Sequence, residues 1–360
     1  MISTDPSARG DRGQRWRIVL LTCRNPATDF RLPLAEELQA LGHDVAYVFL
    51  KRRPVVCEMS SPDQAKSFSL PGFLAHARKA FRGKRPLLVL NSTNLVFPVL
   101  SRVLRATIGG LWCFDMHDDL LYNRTGLRRR RMELGQRLLL GGADLVVHAA
   151  PSLKELFPRS LHLGNASNQT PIKRAEPNFC KVLILASLDR RIDFDILSRA
   201  AELNPDLTFE IFGQISENDP AVAADLADLQ RSRPNVLYRG AYVNRDLPSI
   251  LGAFRVTFAP YATGSQLTRY IDPLRFYHCL NSGLEVVSTD IPKARDLSAS
   301  LHLVGSAEEV GPLVRRLRDD PAARRNAKPD ASADNWRARA VRLMEIVTAS
   351  TETRSMGAKT

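Results

Sequence analysis

The chain has 360 residues, of which 44% are hydrophobic and 25% charged, and it carries a formal net charge of +13. That is enough apolar material for two globular cores, with neither an apolar run of membrane-spanning length nor a charged-then-apolar leader. The five cysteines (Cys23, Cys57, Cys113, Cys180, Cys279) have no paired spacing and no His-rich companion, which argues against zinc and a disulfide framework and suits a reducing, cytoplasmic compartment.

After a polar start over about a dozen residues, Arg17 to Thr22 is a run of strand formers. Leu34, Leu38 and Leu41 follow at helical spacing, ended by Gly42, and Asp44 to Phe49 returns to strand. Leu87 to Leu90, Leu111 to Phe114 and Leu145 to Val147 are further buried strands, with helices near 95–106 and 127–140. The stretch Gly164 to Asn178, rich in Asn, Ser, Thr and Pro, has the composition of a linker. A second series begins at Val182 to Leu185, with strands at Leu207 to Phe212, Val236 to Tyr238, Val256 to Phe258 and Glu285 to Ser288. Helices over 193–203, 221–231, 246–253 and 272–282 separate them. Short apolar runs alternating with helices predict parallel sheets covered on both faces. The fold class is α/β: two Rossmann-like, doubly wound domains (14–165 and 178–331) facing a cleft, then a helix over 332–350 packing back across it.

Basic residues crowd the first half, at Lys51-Arg52-Arg53, between Arg78 and Arg85, and at Arg128 to Arg131. Such a face suits nucleic acid, anionic lipid or an anionic acceptor, or is simply a solvated surface. Nucleic-acid binding calls for interleaved aromatic residues or a reading motif, and neither is present. An anionic membrane surface is the better partner, with the protein peripheral to the inner membrane. Asn91-Ser92-Thr93 matches a glycosylation sequon, which has no meaning without secretion.

The chemistry concentrates in two windows. In the second domain, Asp272 has the chemistry of an N-cap and Pro273 that of a first helical residue, so a helix should start there and end at Gly283. Its free N–H groups, Leu274 and Arg275 included, suit a diphosphate, with Arg275 one turn in and Arg269 in the preceding loop adding charge. A plain capped helix with solvated arginines would read the same way. In the first domain, the strand Leu111 to Phe114 runs into Asp115-Met116-His117-Asp118-Asp119. Three carboxylates and an imidazole at a strand's carboxyl end suit acid–base work, or an Asx turn or helix cap. Arg24 and Arg31, in the loop after the first strand, are candidates for an acceptor phosphate or acid.

The order Asp272-Pro273-Leu274-Arg275, Gly283, Val286-Val287 and Thr289 resembles the sugar-nucleotide segment of GT-B glycosyltransferases. The similarity is to the bacterial family-4-like group that includes glucuronosyltransferases of exopolysaccharide synthesis. It extends to Leu188 to Asp193, Phe212-Gly213, Pro234 to Gly240, Leu247-Pro248, Ala259-Pro260-Tyr261 and Asp334-Asn335-Trp336, covering most of 180–345. The resemblance implies a nucleotide-sugar donor, a UDP-sugar being one candidate, held by Arg191, Gly213, Arg269, Asp272, Pro273, Leu274, Arg275 and His278. It implies a lipid-linked or glycan acceptor in surface glycan synthesis, and neither metal nor cofactor. Asp118 is the implied base, oriented by His117 and Asp119, unless the reaction retains configuration, when Asp118 positions a substrate instead. His278 stands where the family places the acidic residue for the ribose, and Glu285 where it has proline. That substitution keeps open a non-catalytic sugar-nucleotide-binding role, beside a 2-epimerase of the same fold.

Overall fold

The computed structural model describes residues 14–24, 29–83, 86–93, 95–122, 124–173, 179–217, 219–324 and 334–357, with side chains of helical residues to Glu352. The polar start, residues 25–28 of the loop after the first strand and the end of the linker composition lie outside the described residues.

The first series comprises β1 (Arg17–Thr22), α1 (Leu32–Ala40), β2 (Asp44–Phe49), β3 (Val55–Glu58), β4 (Lys66–Ser67), α2 (Leu70–Phe81) and β5 (Leu87–Ser92). It continues with α3 (Pro98–Ile108), β6 (Leu111–Met116), α4 (Gly126–Gly141), β7 (Leu145–His148) and β8 (Leu161–His162). These strands form a sheet in the order β4-β3-β2-β1-β5-β6-β7-β8. Its centre is parallel, as the alternation of strands and helices predicts, and at one edge β2–β3 and β3–β4 pair antiparallel. The two extra strands are short, and β4 is exposed on both residues, which blunts the edge. Every residue of β1, β5 and β6 is buried, as strands covered on both faces require. Val19, Leu21 and Val89 meet Phe73, Ala77 and Phe81 of α2 and Leu104 and Ile108 of α3 in one core. Asn91 of the sequon is itself buried, its Nδ2 donating to Ser101 Oγ at 3.2 Å, so no modifying group has access to it.

The second series comprises β9 (Lys181–Leu185), α5 (Phe194–Leu203), β10 (Thr208–Phe212), α6 (Pro220–Ser232), β11 (Val236–Gly240), α7 (Leu247–Gly252), β12 (Val256–Ala259) and α8 (Gln266–Arg269). It ends with α9 (Leu274–Asn281), β13 (Glu285–Thr289), α10 (Pro292–Asp296), β14 (His302–Val304), α11 (Ala307–Asp319) and α12 (Trp336–Gly357). All six strands pair parallel, in the order β11-β10-β9-β12-β13-β14. The period of two along β9 divides the core: Val182 and Ile184 join α5, α6 and α11 on one face, while Leu183 and Leu185 join α7, α9 and α10 on the other. Strand order reverses between β9 and β12, and in doubly wound sheets ligands bind outside the carboxyl ends at such a point.

Contacts group the chain into two compact units. One holds Met1–Pro26, Arg31–Asp115 and Gly126–Val146; the other holds Ala27–Phe30, Met116–Thr125 and Val147–Thr360. The segment Met116–Thr125, carrying Asp118, therefore belongs with the second sheet. Among the described residues no helix is long and apolar enough to cross a membrane.

Candidate functional site

The loops leaving β9 and β12 are zipped together at the reversal point of the second sheet. Ile192 bridges Tyr261, the Asp193 amide donates to Pro260 O at 2.8 Å, and the Ala262 amide to Arg191 O at 2.9 Å. From the end of β13, Thr289 Oγ1 accepts from the Tyr261 amide and donates to Tyr261 O, both at 2.8 Å. Three strand ends thus fix Tyr261, whose ring lies 4.8 Å from the Arg275 guanidinium carbon. Arg275 Nη1 is buried and has no hydrogen-bond partner among the described residues.

Asp189 and Arg191 stand beside it. Asp189 accepts two hydrogen bonds from Arg191 Nε and one from Nη2 at 2.6–3.1 Å, and one from the Arg191 amide at 3.0 Å. Burial works against the Asp189 carboxylate, but Arg191 and the charge of Arg275 hold its pKa below the ordinary value. Burial likewise works against the Arg191 guanidinium, yet Asp189, then Asp118 and Tyr261, raise its pKa. Asp118 is thereby within electrostatic reach of Arg191. Burial raises the pKa of Tyr242 to about 12, with Arg275 opposing, so the phenol is neutral. Two tyrosines thus lie near the Arg275 guanidinium, with Arg191 neutralised by Asp189 and Arg275 Nη1 without a partner among the described residues.

The helix itself begins later than its sequence suggests. Pro273, not Asp272, is the N-cap, with φ −66° and ψ 110°, and Leu274 is the first helical residue. The reason is that Asp272 is claimed elsewhere. Its Oδ2 accepts from the Asn165 amide at 2.7 Å and its Oδ1 from Tyr277 Oη at 2.9 Å, with Lys293 Nζ 3.6 Å away. Asn165 Nδ2 returns a bond to Asp272 O at 2.6 Å. The carboxylate is wholly buried, so its part is to fasten the helix start and not to meet a ligand. The first amides of the helix lack an intrahelical acceptor whether or not Asp272 caps it.

His278, on the same helix, places Nδ1 2.7 Å from Ser167 Oγ. Burial lowers its pKa to about 4, so the ring is neutral at physiological pH. Ser167 also accepts from the Gln169 amide, and Asn281 Nδ2 donates to Ser167 O. Trp336 is buried, its amide bonded to Asn168 Oδ1 at 3.0 Å, and Arg339 reaches Gly164 O and Asn165 O. These contacts strap the segment Gly164 to Gln169 to α9 and α12.

The other predicted residues divide sharply. Gly213 is dictated by packing: a Cβ there would stand 1.4 Å from Ala186 O, where the ends of β9 and β10 converge. Arg269 lies on the one-turn α8 and not in a loop; its Nη2 pairs with Glu155 at 2.7 Å and its carbonyl accepts from Ser152 Oγ. It borders a cavity of about 630 Å³ shared with Gln266, Tyr270 and Arg295. Asp119 turns its own loop, accepting from the Leu121 amide, and accepts from Gln266 Nε2 at 2.9 Å. His117 is buried edge-on to Phe30, with centroids 4.7 Å apart. Arg31 is corrected outright. It is fully buried, with Nε and Nη2 bonded to Asp115 at 2.8 and 2.9 Å, and so meets no acceptor. Arg24 is partly buried at the end of β1, its amide bonded to Thr22 Oγ1. Sequence reasoning missed Asp189, Tyr242, Asn165 and Ser167; only Asp189, two residues before Arg191, had a local signal.

No protein-family model matches the sequence, and no curated protein matches it. Solved structures do. A sucrose-phosphate synthase from Thermosynechococcus elongatus is 18% identical, with 96% of this chain and all of that one covered at a TM-score of 0.71. Anabaena HepE in complex with UDP and glucose is 13% identical over 92% of this chain and 99% of that one, at a TM-score of 0.66. A glycosyltransferase from Rickettsia africae is 12% identical over 94% and 99%, at a TM-score of 0.61. The fold is GT-B, with its two Rossmann-like sheets, as found in these glycosyltransferase structures.

Proposed function

We propose that the protein transfers a sugar from a nucleotide-sugar donor, with the donor diphosphate at the amino end of α9. The observation that carries this reading is the buried, unpartnered Nη1 of Arg275 beside the first free amides of that helix, at the strand-order reversal. A buried donor left open costs stability unless a ligand accepts from it. Support also comes from the HepE structures with UDP and with UDP-glucose, which share the fold. Asp118 acts on the acceptor side, as base or as positioning carboxylate, a role supported by its position after β6 in the sequence, and its negative charge acts on Arg191. The acceptor is a lipid-linked or growing glycan in surface glycan synthesis, and the sugar a hexosyl or uronosyl unit. The residues proposed for binding are Arg275, Leu274 and Pro273, with Arg191 and Asp189 shaping the pocket. Isothermal titration with nucleoside diphosphates, followed by a donor-hydrolysis assay, tests the proposal. Absence of binding by every nucleoside diphosphate sinks it.

A second reading rests on one observation. With His278 neutral and engaged by Ser167, Asp272 sealed away before the helix, and no Asp or Glu within α9 itself, the helix offers no carboxylate to grip a ribose. A sugar-nucleotide-binding protein without turnover would satisfy the same geometry, and nucleotide binding with no hydrolysis or transfer over a broad acceptor panel would favour it.

A further inference from the structure

The sequence holds three basic runs and cannot choose among them; exposure can. Six large apolar side chains of the first unit are exposed among the described residues: Leu70, Val96, Val99, Val103, Leu127 and Leu134. All but Leu70 lie on or just before α3 and α4. Leu127 is 73% exposed and Leu134 59%, and Val99 is 64% exposed. Leu127 and Leu134 are seven residues apart, two turns, and therefore share one flank of α4. Val99 and Val103, four apart, share a face of α3 turned away from its buried Ser101, Leu104 and Ile108. The helices lie side by side: a Cβ on Gly135 would stand 3.4 Å from Pro98, and one on Gly142 2.8 Å from Arg102.

The charge on this layer is one-sided. Arg128, Arg129, Arg130, Arg131 and Arg137 are all exposed. Only Arg129 has a carboxylate partner, Glu133 at 2.7 Å, among the described residues. Exposed leucines interleaved with unneutralised arginines are costly in water and unsuited to nucleic acid, which offers phosphates but no apolar phase to receive a leucine. A bilayer of anionic lipid offers both. The Lys51-Arg52-Arg53 run lacks exposed large apolar neighbours, with Leu50 and Pro54 buried.

We propose that α4, with the exposed face of α3 beside it, is an anionic-membrane docking surface, its arginines at the headgroups and Leu127 and Leu134 in the acyl boundary. This goes beyond the transfer reaction and can be read without any donor. The experiment is co-sedimentation of the whole protein with vesicles of equal parts phosphatidylcholine and phosphatidylglycerol, and with pure phosphatidylcholine. Binding is expected to the first only, weakening as salt rises. Arg130→Gln/Arg131→Gln should reduce affinity by roughly tenfold or more. Leu127→Ser/Leu134→Ser should reduce it at least several-fold with unchanged melting temperature, and Arg52→Gln/Arg53→Gln, with the same charge removed, should have a much smaller effect. Equal loss in the Arg52/Arg53 control, indifference to the leucine pair, or no vesicle binding at all would overturn the proposal. So would a dimer that the leucine exchange converts to monomer.

Discussion

Exchange of Arg275 for methionine separates binding from stability, because the magnitudes on the two sides differ. In the ligand-free protein the guanidinium gains a cation–π contact with Tyr261 at 4.8 Å, worth about 0.5–2 kcal/mol, and attraction to Asp189. Against this, Nη1 is buried without a partner, a penalty of about 1–3 kcal/mol. Methionine keeps much of the stem's volume and its own sulfur–aromatic contact. The terms nearly cancel, so the ligand-free melting temperature should move by no more than about 3 °C in either direction. With a diphosphate bound, the same nitrogen makes a charge-assisted hydrogen bond worth about 1.5–3 kcal/mol, and its loss weakens binding roughly 10- to 100-fold. Isothermal titration with UDP and GDP, paired with calorimetric melting with and without nucleotide, checks both halves. Unchanged affinity would refute the phosphate role. A fall in ligand-free stability as large as the loss in binding would refute the claim that Nη1 is held open for a ligand.

Asp118→Asn should abolish sugar transfer while nucleotide affinity changes by less than roughly threefold, since the asparagine keeps the shape and loses only the charge near Arg191; retained turnover rules out a base there. Asp115→Ala should destabilise the protein by about 3–5 kcal/mol, because it strands the fully buried Arg31, and denaturant unfolding measures this; a near-neutral result would mean that water reaches the guanidinium. Stability should fall as pH drops from about 6.5 towards 4. Burial lowers the pKa of His148 and of His278 to about 4 from an ordinary 6.5, and a depressed base contributes stability above the unfolded value that is lost on acidification. Each ring costs roughly 2 kcal/mol at about pH 5, and His148→Gln should flatten the melting-temperature profile there; an equally steep profile would assign the loss to carboxylates.

The two sheets were legible because their central strands are continuous apolar runs. The edge was not: Lys66-Ser67 is too short and too polar to register, and Val55–Glu58 pairs antiparallel through a connection that no local pattern announces. Helix α2 hid behind its own charge, since Arg78 and Lys79 decorate the helix that buries Phe73, Ala77 and Phe81. Helix α11 carries Pro312 in its interior, which reads locally as a break.

The site shows where spacing arguments stop. Local chemistry placed Arg275 near a helix start, because capping and phosphate binding both work within one turn. The same chemistry mistook Asp272 and Arg31 for ligands, because their partners, Asn165 and Asp115, lie 107 and 84 residues away. A carboxylate or guanidinium seen in isolation has an unmet demand, and only the fold says who meets it. Once Asn165, Tyr277 and Lys293 surround Asp272, and Ser167 holds His278, Arg275 is the charged side chain of α9 left with a buried donor unpartnered among the described residues. Since a buried donor is tolerated unpaired only at a cost, Arg275 is the position from which the chemistry of this site has to be read.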